Sequence, residues 1–418
     1  MEKKLSGLLG LNHNALVISL TEMVHDSGTH LIWSFWSLYV LKLGGSIAVL
    51  GLFTLLSGVS SLIFHPLLGL ISDRVGRKKP VVIGGFIVSV FPLILALADN
   101  WMWLIPGVIL HAMDNGLWTT RQALFTDNID NTRKGRSLAT FYTIMSITAS
   151  FLPALGGILL DRIGIVQGFR IGLFFSFITL VIQSAVNVKY LEESKEEKRI
   201  LKRTTQSRGL RNLIKSFIEP IRTNKNFQVM IIGQGLVSFG QGLISQFTII
   251  YAVETIGLTI TEWGLITSFS SFTNMIFRIP IGSAVDRIGN RKGYMLGILV
   301  QSAYPILFFN SQNFLQTIAV YTLNTLGGTF TQMGREALLV EIVPRKERGI
   351  LLGSFTAIAG LGGVFGSTSP TLGAFLWDNY GAIYNFYLTP VMSWLAIIYY
   401  LRNLNRSKSQ DLKKQQQV

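Results

Sequence analysis

No cysteine occurs in the 418 residues, which removes disulfide frameworks, thiolate metal sites and cysteine nucleophiles together. Charge is the next shortage. Asp, Glu, Lys and Arg make up 14% of the chain, against about 25% in soluble domains, while hydrophobic types reach 49% and mean hydropathy is +0.44. A chain so poor in charge cannot cover a water-facing surface. Acids are the scarcer sign, 22 against 37 bases, for a net charge of +15. A basic excess often marks nucleic-acid binding, but here the bases sit in clusters between long apolar runs, so no nucleic acid is expected as partner. The sequence also lacks a zinc-protease His-Glu-x-x-His, a phosphate-binding glycine–lysine loop and a serine nucleophile elbow. These gaps argue against hydrolytic chemistry and self-contained ATP-driven transport; no enzyme activity and no cofactor is expected. Lys3 and Lys4 precede no short apolar core with a small-residue cleavage site, and the first apolar run carries acids, so it reads as a retained span.

What the chain does contain is a series of apolar runs, each near the roughly 20 residues that cross a bilayer as a helix. Twelve are read, over 14–41, 48–71, 80–98, 101–126, 137–160, 169–190, 227–254, 262–284, 293–309, 314–341, 349–376 and 382–402. The expected class is all-α integral membrane, with 12 transmembrane helices in two six-helix bundles related by pseudo-symmetry. The expected organisation is a bundle over 1–190, a cytoplasmic linker over 191–226 and a second bundle with its tail over 227–418. Within the linker, Leu210, Leu213, Ile214, Phe217, Ile218 and Ile221 share one helical face among Arg208, Arg211 and Lys215, the pattern of an interfacial helix over 208–221. An even number of spans puts both termini on one side. That side collects 31 Lys and Arg in tails and loops; the other has only Lys42, Arg162 and Arg170. The positive-inside rule makes the basic side cytoplasmic. The expectation is a multi-pass protein of the plasma membrane, with the lipid bilayer as a partner and a monomeric state.

The halves repeat at an offset of about 213. "GLISDRVGRKKP" at 69–80 matches "GSAVDRIGNRKG" at 282–293, and Arg121 in "TTRQALFTDN" matches Arg335 in "MGREALLVEI". "TRKGRSLATF" at 132–141 matches "PRKERGILLGSF" at 344–355, and "FLPALGGILLDRIG" at 151–164 matches "TSPTLGAFLWDNYG" at 368–381. Parallel six-span repeats are a transporter architecture.

With these motifs the sequence resembles the major facilitator superfamily over nearly its whole length, and within it the drug:proton antiporters. The loop after the second span carries the signature: Gly69, Asp73, Arg74, Gly76 and Arg77, repeated as Gly282, Asp286, Arg287, Gly289 and Arg291. The two glycines permit close helix approach and a tight turn. The resemblance implies that Asp73 latches onto the N-terminal end of the eleventh span near Gly349, and Asp286 onto the fifth span near Ser137, while the cytoplasmic side is closed. It also implies a charge relay from Arg77 to Asp127. In the second half Glu341 stands for Asp127, and Asn290 replaces the first base.

Ionisable groups inside spans are candidates for function. On the first span Glu22, Asp26, Thr29, His30 and Trp33 share one arc, with His25 beside them; carboxylates stacked at i and i+4 repel, and neutralising one relieves the other. The fourth span carries His111, Asp114, Asn115, Trp118 and Gln122 on one stripe, with Arg121 at its edge. In this fold the first and fourth spans of each half line the central cavity, so Glu22, His25, Asp26, His30, Asp114, Asn115, Arg121 and Arg335 are the candidate proton-coupling or cavity residues. Trp33, Trp36 and Trp118 are the candidate aromatics for an amphipathic substrate. Each has a bland reading as well: Arg121 and Arg335 as ion-paired structural residues, with Asp114 or Asp127 and with Glu336 or Glu341, and His30 as a hydrogen-bonded packing residue. The same acids and imidazoles could line a transition-metal path, but no closely spaced ligand motif supports it and no metal site is expected.

"FLPALGGIL" resembles the proline–glycine motif that exporters of the superfamily carry in the fifth span. Pro153, Gly156 and Gly157 match, with Pro370 and Gly373 in the second half, while Leu152 and Thr148 replace expected glycines. Bending and close packing alone also explain such a motif. The expected function is alternating-access, proton-coupled export of small amphipathic organic compounds. The alternatives are proton-coupled import of a sugar, organic anion or peptide, transport of a transition metal, or a membrane protein that transports nothing.

Overall fold

The computed structural model describes residues 11–129, 134–192, 224–342, 355, 358 and 363–404. The interfacial helix expected over 208–221 and the start of the eleventh span lie outside them. The described residues are all helical in their regular structure and form twelve spans. The first is His13–Ile32, broken by a 3₁₀ turn at Trp33–Phe35 and resumed as Trp36–Lys42. Then come Ile47–Val75, the split third span Lys78–Val88 with Val90–Ala96, Leu104–Asp127, Lys134–Ile163 and Ile165–Tyr190. The second half repeats the series: Lys225–Ser245 with Thr248–Glu254, Ile260–Ile288, Asn290–Phe309, Phe314–Ile342, Val364–Tyr380 and Ala382–Asn403. The break in the seventh span falls where the repeat places the break in the first, so the duplication is visible in the helices as well as in the motifs.

Among the described residues, six helices are long and apolar enough to cross a membrane by length and composition alone. The first and fourth spans are not among them, because they hold the buried acids and bases described below. The flanks of the spans carry the exposed apolar surface that lipid requires: Ile63, Ile83, Phe151, Ile279 and Leu315 are among the large side chains left open.

The chain packs as two compact units. One comprises Met1–Ser207 with Ile249–Met275, the other Arg208–Thr248 with Ile276–Val418. In the first unit, Leu16, Leu124, Phe125 and Phe141 form a buried cluster of the first, fourth and fifth spans. In the second, Phe227, Met230, Tyr294, Leu338 and Tyr400 do the same for the seventh, ninth, tenth and twelfth.

Small residues set how closely the spans approach. A Cβ on Gly28 would lie 2.5 Å from the backbone of Ser176, so the first and sixth spans touch there. Gly240 plays the matching part against Thr389 in the second unit.

Candidate functional site

The first span starts at Asn12, whose side chain accepts the N–H of Ala15 as an N-cap. From that start, three-residue and four-residue steps put Glu22 and His25 on the face turned to the fourth span. The close approach at Gly28 has a second effect. Two helical turns further along the antiparallel sixth span, Gln183 arrives beside Glu22, and its amide donates to Glu22 Oε1 at 2.9 Å. Asn187 arrives beside Thr21 and accepts its hydroxyl at 3.2 Å.

Four ionisable side chains then close a ring. Arg121 Nε lies 2.7 Å from Glu22 Oε1. Both terminal nitrogens of Arg121 donate to Asp114 Oδ1 at 3.1 Å. Asp114 Oδ2 lies 3.1 Å from His25 Nε2. His25 Nδ1 faces Glu22 Oε2 at 3.8 Å. Arg121 and Asp114 are seven residues apart, two turns, so one helix supplies both and the arginine folds back along its own span. All four are out of solvent: Glu22 is 0% exposed, Arg121 2%, His25 5% and Asp114 5%.

At this burial the charge count decides what the ring can do, since an isolated ion costs several kcal/mol to hold away from water. Two carboxylates and one guanidinium leave a net charge of −1. An imidazolium at His25 brings the ring to zero. One proton therefore separates a balanced ring from a charged one. Asp26, one residue on and only partly buried, stands at the edge of the ring, and His111 lies three residues before Asp114 on the fourth span.

The donor atoms of Glu22, His25 and Asp26 all lie within 4.8 Å of one another, near enough to share a cation. Glu22 already holds the guanidinium of Arg121, so the chain supplies that positive charge itself.

The other candidates are distributed around the ring. His30 Nδ1 hydrogen-bonds Thr148 Oγ1 at 3.0 Å, joining the first and fifth spans at a position where the exporter motif has glycine. Trp33 stacks on Trp36 at 5.3 Å between centroids and lies 4.2 Å from His111. Trp36 is buried among Tyr39, Phe53 and Phe169. Trp118 stacks on Phe141 at 6.1 Å. Asn115, next to Asp114 in the chain, is exposed.

In the loop motif, Arg77 and Asp127 form an ion pair. In the second half, the neutral amide of Asn290 donates instead to the Glu341 carboxylate at 2.7 Å, so a hydrogen bond without a cation stands at the equivalent place. Arg291 caps the last span by donating to the carbonyls of Tyr400 and Leu401, both at 3.3 Å. Asp286 and Arg287 are exposed. The side chains of Asp73 and Arg74 lie outside the described atoms. Gly76 turns the chain at φ 86°. A Cβ on Gly69 or Gly282 would meet nothing within 4 Å among the described residues.

The fifth-span motif makes close contacts. A Cβ on Gly156 would lie 1.7 Å from the carbonyl oxygen of Leu31, and one on Gly157 2.8 Å from that of Ile260. Gly373 repeats the first of these against Leu243, at 2.6 Å. Pro370 is buried in the same span.

The seventh span has no acid where the first has Glu22. Gln234 takes that level, accepting from Tyr294 Oη at 2.8 Å and donating to Ser238 at 3.1 Å. Tyr294 and Tyr400 hydroxyls meet at 2.8 Å. Arg335 is partly buried and forms no ion pair among the described residues; Glu336 accepts from Gln332 at 3.0 Å instead.

Sequence reasoning missed Gln183, Tyr294 and Tyr400. Gln183 left one signal, an amide in the apolar middle of a 26-residue helix. The tyrosines left none, because an aromatic in a span reads as lipid-facing or core.

The comparisons with known proteins extend over most of the chain. The profile of the Major Facilitator Superfamily matches residues 18–259 and 230–417. Multidrug resistance protein 2 of Bacillus subtilis is 23% identical over 345 residues, covering 81% of this chain and 82% of its own. The multi-drug resistance efflux pump PmrA of Streptococcus pneumoniae is 24% identical over 366 residues, covering 86% and 88%. An uncharacterized MFS-type transporter of Methanocaldococcus jannaschii is 23% identical, covering 94% and 98%. Among solved structures, the human organic anion transporter MFSD10 superposes with a TM-score of 0.68 at 14% identity, over 93% of this chain and 98% of that one. A bacterial homolog of the human lysosomal transporter Spinster gives 0.69 at 14% identity, over 93% and 95%. At those identities the structures speak for the fold alone. Twelve spans in two repeated sets of six, the duplicated loop motif and a profile match running through both halves establish that the chain belongs to the Major Facilitator Superfamily, a membrane transporter and not an enzyme.

Proposed function

We propose that the protein is a proton-coupled exporter of small amphipathic organic molecules, acting as a monomer in the cell membrane with both termini in the cytoplasm. The buried ring of Glu22, Arg121, Asp114 and His25 carries the reading. It joins the first and fourth spans, and its charge is balanced with one proton on the imidazole and unbalanced without it. Loss of that proton leaves a buried net charge, and the two spans then gain by moving apart, admitting water or a ligand that restores balance. Arrival of the next proton closes the ring again. Alternating access follows when these two arrangements belong to opposite openings of the two halves.

Three observations support export over import. Curated relatives along most of the chain are multidrug resistance proteins. The fifth span carries the exporter-like Pro153, Gly156 and Gly157. The partly exposed Trp33 ring, backed by Trp36 and lying against His111, is a surface suited to a flat apolar compound. The distribution of bases supports cytoplasmic termini.

The test is transport of ethidium by purified protein in proteoliposomes, with and without an imposed pH gradient. One pH unit is worth about 1.4 kcal/mol per coupled proton, a tenfold change in accumulation. A gradient-driven rate well above the ungraded one is the expected result; equal rates would remove proton coupling from the reading.

A further inference from the structure

A four-residue pattern, Asp-x-x-Gly, closes four different spans: Asp73–Gly76, Asp161–Gly164, Asp286–Gly289 and Asp378–Gly381. In each the glycine has positive φ, at 86°, 90°, 93° and 91°, and the next span starts one or two residues after it. Only two of the four belong to the cytoplasmic loop motif. The other two close the fifth and eleventh spans at the opposite, base-poor side.

The fifth-span copy has a partner. Asp161 Oδ2 accepts the backbone N–H of Thr261 at 2.7 Å and also its hydroxyl. Thr261 is the second residue of the eighth span, Ile260–Ile288, and its surroundings explain why this N–H is available. Thr259 and Glu262 form a reciprocal cap: the Glu262 carboxylate accepts from Thr259 N at 2.8 Å, and Glu262 N–H donates to Thr259 Oγ1 at 3.1 Å. That cap leaves the Thr261 N–H unclaimed at the positive end of a 29-residue helix, and Asp161 takes it.

The contact does not stand alone. One turn further in, the two spans touch backbone to backbone: a Cβ on Gly157 would lie 2.9 Å from Thr261 Cα, and one on Gly264 2.4 Å from the Pro153 carbonyl oxygen. Next to it Ser268 Oγ accepts the N–H of Ala154 at 2.9 Å, one residue after the proline inside the fifth span. Small residues thus let the helices close, and polar groups lock them at each end. Through this seam Ile249–Met275, which belongs to the second half by sequence, packs with the first half.

We infer that Asp161 is a latch for the non-cytoplasmic side, holding the outer end of the eighth span against the fifth while that side is closed. Outward opening must break the Asp161–Thr261 bonds and expose the Thr261 N–H to water. The inference is independent of the proton ring and of the substrate, so its failure and the failure of the proposed function are distinguishable.

The natural chain has no cysteine, so paired spin labels need no background substitutions. Labels at Met102→Cys, exposed in the 3₁₀ turn Trp101–Trp103 before the fourth span, and at Gln312→Cys, exposed in the loop before the tenth, read the outer opening by distance measurement in lipid nanodiscs. Asp161→Ala is expected to raise the long-distance population at least threefold. Thr261→Val, which keeps the N–H and loses the hydroxyl, is expected to raise it by less. Glu254→Gln, which changes an exposed charge at the end of the helix before the eighth span and has no part in the cap or the latch, is the control and should leave it within experimental scatter. If Asp161→Ala fails to fold, Asp161→Asn and Thr261→Val carry the test. A folded Asp161 or Thr261 variant with an unchanged distance distribution, or a Glu254→Gln shift as large as theirs, overturns the latch.

Discussion

His25 and Asp114 meet at 3.1 Å through Nε2 and Oδ2, and that one contact ties the first span to the fourth in the interior of the first bundle. Its partners on either side, Glu22 and Arg121, make the contact part of a charge balance and not an isolated bond. If balance is what matters, damage from one member should be repaired by neutralising its opposite. His25→Asn leaves a ring with net charge −1 and should lower the melting temperature by several degrees, in line with the roughly 3–5 kcal/mol of a broken buried pair. Adding Asp114→Asn removes the surplus charge, and the double variant should melt above the single one. Additive losses in the cycle would mean that the two residues act independently.

Gln183 donates to the same Glu22 oxygen that faces Arg121. It holds the carboxylate so that Oε2 is left for His25. A hydrogen bond to a charged group is worth about 1.5–3 kcal/mol. Gln183→Leu should therefore destabilise the protein by that order in chemical or thermal unfolding and shift the pH profile of transport, because Glu22 becomes free to turn. Gln183→Glu adds a second carboxylate to the ring and should be more damaging than the leucine. Equal stability of all three proteins would take Gln183 out of the site.

The two glycine motifs should respond in opposite ways to alanine. At Gly156 a Cβ falls 1.7 Å from a backbone carbonyl, and backbone cannot step aside as a side chain can. Gly156→Ala should abolish accumulation of folded protein, or lower its melting point far more than any other single alanine. Gly69→Ala adds a Cβ that meets nothing within 4 Å among the described residues, so it should fold like the parent. A transport defect in a well-folded Gly69→Ala would show that the space is needed in another arrangement of the helices.

Arg77 and Asp127 are paired but open to solvent, with side chains 28% and 41% exposed. Exposed pairs contribute about 0–1 kcal/mol. Arg77→Ala should barely change the melting temperature. Any effect on transport should shrink as salt is raised toward 0.5 M, where screening has already weakened the pair. A loss of stability above about 2 kcal/mol would give the pair a structural part that its exposure does not support.

The spans and their order were legible because apolar runs near 20 residues carry their own signal, and the repeated loop motif fixed the two halves. The ring was half legible. Glu22, His25, Asp114 and Arg121 could be picked out as charges in the wrong solvent, but their mutual distances depend on Gly28, which sets how near the sixth span comes, and on the arginine folding two turns back along its own helix. Neither is a property of local sequence. Asp161 was in plain view inside a repeated motif and yet unremarkable, since an acid at a span end reads as solvated. Only the unclaimed N–H of Thr261, a product of the Thr259–Glu262 cap a hundred residues later, gives it a partner. In the second half the Tyr294–Tyr400 hydroxyl pair that completes the Gln234 network was not legible, because the tyrosine ring and its hydroxyl send opposite messages about burial.

The central claim is that one exchangeable proton on the ring drives transport. The direct measurement is ethidium accumulation in proteoliposomes at a one-unit pH gradient, for the parent and for His25→Asn/Asp114→Asn, alongside exchange of ethidium with no gradient. The account predicts accumulation near tenfold for the parent per coupled proton, and gradient-independent exchange without accumulation for the double variant. Accumulation by the double variant at the parent's level, or a parent indifferent to the gradient, would contradict it.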